Sequence, residues 1–212
     1  MQPLSASDLS LSQLKERFPL ERNDDPNFFA EWQDNLPNLA ELDRAYLDKV
    51  KADFLSLEDQ ILSEEVVKLS MLAPLLSVAN FFREPLYPKA EVGVELEVTG
   101  ENETLIRGRL DVLVVYRSFW LMAIETKRRN LTLETGFSQA LFYLLNSPEP
   151  QPITYGFLTN GRHFQFIKRV GHQYATSDEF TLHRRVNELY VVVQIMKRLG
   201  AIMMQNTDET AA

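Results

Sequence analysis

The stretch GRLDVLVVYRSFWLMAIETKRR, residues 108–129, decides how the chain is read. Two nearly continuous apolar runs, TLIRGRLDVLVVY and FWLMAIETK, flank a short turn at Arg117-Ser118-Phe119. Runs of this kind suit central strands covered on both faces. Asp111, Glu125 and Lys127 interrupt them. A charge buried without a partner is costly, so these three must be paired with one another, bound to a metal, or both. With the turn centred on Ser118, residues whose numbers sum to 236 lie opposite, and Asp111 faces Glu125. Their side chains would project on one face with Cβ atoms about 5 Å apart. Lys127, two residues further on, shares that face. Two carboxylates this close repel unless a cation or a shared proton lies between them. Hard oxygen donors completed by water suit Mg²⁺ or Mn²⁺. A purely structural Asp–Lys or Glu–Lys pair near a strand end is the competing explanation.

Working outward, PNLAELDRAYLDKVKADFL predicts an amphipathic helix after Pro37, with Asn38 as cap. SLEDQILSEEVVKLSMLAPLLSVANFF predicts a second, longer helix that starts at a box formed by Ser56 and Asp59 and bends at Pro74. From residue 91 the period changes to two, and Val92, Val94, Leu96 and Val98 share a strand face. LETGFSQALFYLLN predicts a helix, and ITYGFLTNGRHFQFIKR a hairpin turning at Asn160-Gly161. QYATSDEFTL adds a short strand, and a helix from residue 183 to about 203 closes the chain. The fold class is α/β, with a central mixed sheet flanked by helices. The expected organisation is a helical extension over 1–55, a domain over 56–203, and a flexible tail over 204–212.

Composition narrows the class. There is no Cys, which excludes disulfides and thiolate metal sites. The opening MQPLSASDLSLSQL has no basic segment followed by an apolar one, so no secretory leader is expected. Lys197 and Arg198 break the most apolar C-terminal run, so no membrane span is expected and a cytoplasmic protein is the default. Net charge is −8, but it is unevenly placed. Residues 1–65 carry six Lys/Arg against fifteen Asp/Glu, whereas 107–185 carry eleven against six. The part holding the three odd charges is therefore mildly basic. The acidic N-terminal third is expected to cover the core and repel phosphates.

The segment GRLDVLVV…AIETK resembles the PD-(D/E)xK nuclease motif, with Asp111, Glu125 and Lys127 in its three positions and Leu110 where the motif has Pro. Gln139 to Tyr143 is similar to the Q-xxx-Y motif of RecB-type nucleases. YGFLTNGRHFQFIK and EEVVKLSMLAPLL resemble segments of the N-terminal nuclease domain of type I restriction motor subunits. The resemblance spans about residues 56–170, and no helicase motif follows. It implies a restriction-endonuclease-like fold and metal-dependent hydrolysis of DNA phosphodiesters, with type II-like endonuclease chemistry. By resemblance, Asp111, Glu125 and the main-chain carbonyl of Thr126 would hold Mg²⁺ or Mn²⁺, Lys127 would orient a water, and Gln139 with Tyr143 would position water or substrate. The family's helix acid maps to Glu64 or Glu65. On an uninterrupted helical wheel Leu62, Val66, Leu69, Ala73 and Leu76 form the apolar stripe, which puts Glu65 nearer the site and Glu64 in water.

Arg128, Arg129, Arg162 and Lys168 are candidate phosphate contacts. His163, His172 and His183 have no ligand spacing. A Gly-rich phosphate loop, a nucleophile elbow and a zinc motif are absent. The partners expected are DNA, a second copy of the chain, and a protein bound by the N-terminal helices. The alternative function is a catalytically inactive module of the same fold that binds DNA or regulates a partner.

Overall fold

The computed structural model describes residues 4–57, 59–98, 104–117, 119–128, 130–147 and 151–210. Its centre is a mixed sheet flanked by helices. Strands β1 (Leu4–Ser5) and β2 (Glu21–Arg22) come from the N-terminal segment, followed by β3 (Leu86–Val98), β4 (Thr104–Tyr116) and β5 (Phe119–Thr126). After helix α5 (Glu134–Leu145) come β6 (Ile153–Thr159), β7 (His163–Val170), β8 (Gln173–Thr176) and β9 (Phe180–Thr181). The path across the sheet is β1-β4-β5-β6-β7-β8-β2, with β3 also on β4 and β9 on β7. Pro88 lies in β3, where its missing N–H is tolerated because β3 pairs with β4 alone among the described residues.

The β4–β5 hairpin keeps the register expected near the odd charges, by a different route. Tyr116 pairs with Phe119 and Val115 with Trp120, so the turn is tighter than the sequence suggested, and Arg117 takes φ +54°. A bulge then inserts Leu121, and from Val114↔Met122 to Val112↔Ile124 the pairs sum to 236. The ladder stops there, one residue before Asp111 and Glu125. Beyond it β5 continues on β6 through Thr126↔Thr159, while the early part of β4 takes β1 at Ile106 and Arg107. Two strands that were partners thus separate at the two acids.

Helix α2 (Glu41–Leu55) forms, but it starts from Ala40 without a side-chain cap, not from Asn38, and Ser56 is its C-cap rather than the start of the next helix. That helix begins at Glu64, where the Ser63 hydroxyl accepts from the Val66 N–H. It runs as α3 (Glu64–Val67), a π turn (Lys68–Leu72) and α4 (Ala73–Val78). The π turn precedes Pro74, which cannot donate and whose ring would clash with a carbonyl four residues back in a tight α-helix. Widening the helix relieves both problems and shifts its face. Val67, Met71, Leu72, Leu75 and Leu76 are buried, while Val66 and Leu69 are exposed. The helix ends in a Schellman arrangement, with Asn80 at φ 65° and the Phe81 N–H on Leu76 O. The last helix, α6 (Leu189–Thr210), continues beyond Met203, where a flexible tail was expected. Among the described residues no helix is long and apolar enough to cross a membrane.

The first 55 residues do more than extend the domain as helices. Two of their segments join the sheet, β1 parallel to β4 and β2 parallel to β8. Ala6, Leu9, Leu14 and Leu20 are buried with α5 on one face of the sheet, and Phe29, Leu47, Val50 and Phe54 with α4 and α6 on the other. Helix α1 (Leu11–Arg17) is started by a capping box in which the Ser10 hydroxyl accepts from the Gln13 N–H and the Ser10 N–H donates to Gln13 Oε1. Helix α5 is therefore sandwiched, which explains why Gln139 to Leu144 are all buried although the sequence gives α5 only one apolar face. Leu14→Ala is expected to cost about 2–5 kcal/mol, read from the urea midpoint. An unchanged midpoint would mean that the segment is only loosely attached.

Candidate active site

Where β4 and β5 part, two chains of polar contacts run past each other. The first is centred on Asp111, which is 6% exposed. Its Oδ2 accepts from the main-chain N–H of Thr126 at 2.6 Å, so the side chain takes over where the ladder ends. Its Oδ1 meets Lys68 Nζ at 2.6 Å. Lys68 also lies 3.1 Å from Glu91 Oε1 and 3.4 Å from Glu64 Oε1. The second chain starts at Glu125, which is 2% exposed. Lys127 Nζ donates to Glu125 Oε1 at 2.6 Å and to Gln139 Oε1 at 2.8 Å. Gln139 Nε2 donates to Tyr143 Oη at 2.7 Å, and the Tyr143 hydroxyl donates to the Arg109 carbonyl at 2.9 Å. This order fixes the amide. Tyr143 spends its proton on Arg109 and so must accept from Gln139, which leaves Gln139 Oε1 for Lys127.

The electrostatics follow from burial. Glu125 is pushed up to about 8, first by desolvation and then by the charge of Asp111, with Lys127 offsetting part of the rise. Its Oε2 is buried without a hydrogen-bond partner, as is Thr126 Oγ1. Glu64 is also raised, by desolvation and then by Asp111. For Lys68, burial works to lower the affinity for the proton. The hydrogen bond and charge of Asp111, with Glu91 and Glu64, overcome it and hold the ammonium charged.

Asp111 and Glu125 are the donors that a divalent cation would use. Such an ion would satisfy the orphaned Glu125 oxygen and relieve the repulsion between the two acids. Among the described residues no three Asp, Glu or His side chains are gathered into a ready-made cage. Mg²⁺ suits such a site, because it binds through one or two carboxylates and keeps several waters.

Asp111, Glu125, Thr126, Lys127, Gln139 and Tyr143 thus converge, though Asp111 and Glu125 are not a ladder pair. Glu65 does not join them. It is fully exposed and held low by its own N–H and the Ser63 hydroxyl, whereas Glu64 turns inward. The wheel assumed a helix running unbroken from residue 56; the start at Ser63 and the π turn change its phase. Lys168 is 8% exposed, with Nζ on Glu31 and the Phe28 carbonyl, and it anchors the N-terminal segment instead of facing outward. Arg128 is exposed beside the site, Arg162 is half-buried, and Arg129 lies outside the described residues. Glu64, Lys68 and Glu91 were missed as a group. The i,i+4 spacing of Glu64 and Lys68 was a readable signal. Glu91 was not foreseeable, because its position depends on φ +54° in the middle of β3. A groove of about 1090 Å³ is lined by the Asn130–Thr135 loop, Arg22, Arg162 and His163, and neither acid lines it.

No family model and no curated protein matches the sequence. Among solved structures, the chain is similar to a fragment described as an HsdR subunit of a type I restriction enzyme from Vibrio vulnificus YJ016. The identity is 18% and the TM-score 0.42 over 63% of this chain and 25% of that one. It is also similar to the protein SSO0001, with 17% identity and TM-score 0.30 over 97% and 78%. The chain thus spans about a quarter of the length of the first, and both superpositions are loose.

Glu125 yields a pH prediction for the ion-free protein. Its folded pKa of about 8 lies above the ordinary 4.5, so between these values the folded state holds more protons than the unfolded one. Stability contributed by this group is therefore complete at low pH and is lost as pH rises through that window. Glu125→Gln should flatten this part of the stability profile. A profile that keeps its slope in the variant would place the titration elsewhere.

Proposed function

We propose that the chain is a metal-dependent DNA phosphodiesterase of endonuclease type, with a restriction-endonuclease-like core. The observation that carries this reading is the orphaned carboxylate oxygen of Glu125, buried beside Asp111 at the point where β4 and β5 separate. Such an oxygen costs stability where it is buried, and at Glu125 the charge of a second buried acid adds to that cost. Asp111 and Glu125 would hold Mg²⁺ or Mn²⁺, and Glu64, which turns inward beside Lys68, would be the helix acid that serves the site. The ion, when bound, polarises the scissile phosphate and lowers the pKa of a water.

The rest of the work falls to the chain's own side chains. Lys127 uses two of its three donors on Glu125 and Gln139, which leaves one for the attacking water or a phosphate oxygen. An ammonium held in this way stabilises charge that develops during displacement without moving first. Gln139 and Tyr143 act through Lys127, as positioning residues. Arg128, exposed at the end of β5, would meet the DNA backbone, and a homodimer would bring two such sites to the two strands.

One observation favours a second reading, a purely structural ion cluster: Lys68 already neutralises Asp111. Incubation with plasmid and single-stranded DNA under Mg²⁺, Mn²⁺ or EDTA separates the two. Cleavage should need the ion and be lost in Asp111→Asn. Lys127→Ala should keep Mn²⁺ affinity while the rate falls about a hundredfold or more. If purified Asp111→Asn cuts as well as the wild type, the site lies elsewhere. An inactive wild type whose Lys127→Ala variant loses several kcal/mol that Mn²⁺ does not restore supports the structural cluster.

A further inference from the structure

Lys68 occupies the place in this site where an added cation would be expected. Its Nζ is 2.6 Å from Asp111, 3.1 Å from Glu91 and 3.4 Å from Glu64. Three separate backbone features bring these groups together. Ser63 caps the helix so that Glu64 opens it, the π turn begins at Lys68, and φ +54° at Glu91 kinks β3 opposite Asp111. A non-glycine residue at such a φ inside a strand is strained, and strain of this kind collects at functional sites. Beside the cluster lies Glu125, almost fully buried, with an oxygen that Lys127 does not satisfy and a charge that both Asp111 and Glu64 repel.

Lys68 also has a second, more exposed carboxylate within reach. Asp111 is buried, whereas Glu91 is about half exposed on the kinked edge strand. A short swing of the lysine would trade a buried carboxylate for an accessible one already within reach.

We propose that Lys68 is a resident counter-cation: it neutralises Asp111 and Glu64 in the ion-free protein, and a divalent ion binds by displacing it toward Glu91. The inference rests on the metal-site reading above and adds a competitor to it. Lys68 keeps the fold intact while the site is empty of metal and sets how tightly metal is held.

Titration of the full chain with Mn²⁺, followed by calorimetry, tests this on wild type, Asp111→Asn, Lys68→Met and Lys68→Arg, with melting temperatures for each with and without the ion. Lys68→Met should bind Mn²⁺ more tightly by on the order of tenfold or more, because the competing charge is gone. Its melting temperature should fall without the ion and recover with it. Lys68→Arg, which keeps the charge, should bind no more tightly than the wild type. If the wild type binds Mn²⁺, Asp111→Asn does not, and Lys68→Met binds with unchanged or lower affinity, the counter-cation proposal fails and the metal site stands. If neither the wild type nor Lys68→Met binds Mn²⁺, both fail. Should Lys68→Met not fold without the ion, Lys68→Gln carries the same comparison, since it drops the charge and keeps a hydrogen-bond donor.

Discussion

Two carboxylates, Asp111 and Glu125, are buried within reach of each other's charge, and much of the fold answers that one constraint. Neither could be buried alone at tolerable cost. The answer comes from both sides of the sheet. The helix that starts at Ser63 sends Lys68 to Asp111, and the end of β5 sends Lys127 to Glu125. The main chain contributes as well, since the Thr126 N–H left over at the end of the β4–β5 ladder becomes a donor to Asp111. What these partners leave is one unsatisfied oxygen on Glu125, and the functional reading turns on it.

The surrounding architecture holds this arrangement still. Lys127 is aimed by Gln139, which is aimed by Tyr143, which is tied to the β4 main chain at Arg109. Tyr143 packs so closely that a Cβ on Gly108 would lie 2.8 Å from both its ring and Ala6. Glycine there lets β4, α5 and the N-terminal segment approach. Asn160, in the β6–β7 turn, donates to the Leu131 carbonyl and fastens the loop that follows Lys127. The N-terminal segment, acidic and remote from these residues in sequence, thus helps to hold them by packing α5 against the sheet.

The Asp111–Glu125–Lys127 arrangement and its supporting Gln139–Tyr143 pair were legible because they depend on local rules, a strand period of two and a helical spacing of four. Even there the register survived a wrong detail. The hairpin turn is tighter than expected, and the bulge at Leu121 restores the sum of 236 before the site is reached. The helix acid was misplaced because a wheel has no means of knowing that Ser56 ends one helix, Ser63 starts the next, and a π turn follows. Lys168 looked like a surface cation because its partner, Glu31, is 137 residues away in the chain. The i,i+4 spacing linked Lys68 to Glu64 alone, and the place of Lys68 and Glu91 at the site was hidden for the same reason. Their meeting at Asp111 is long-range, and a positive φ in a strand leaves no trace in residue type.

The central question is which cation neutralises Asp111 and Glu125. Anomalous diffraction at the manganese edge, from crystals of the full chain grown with Mn²⁺, would locate the ion directly. The expected result is a single strong peak beside Asp111 and Glu125, with Lys68 withdrawn from Asp111 toward Glu91. A map with no peak there, and Lys68 still seated on Asp111 at saturating Mn²⁺, would contradict it.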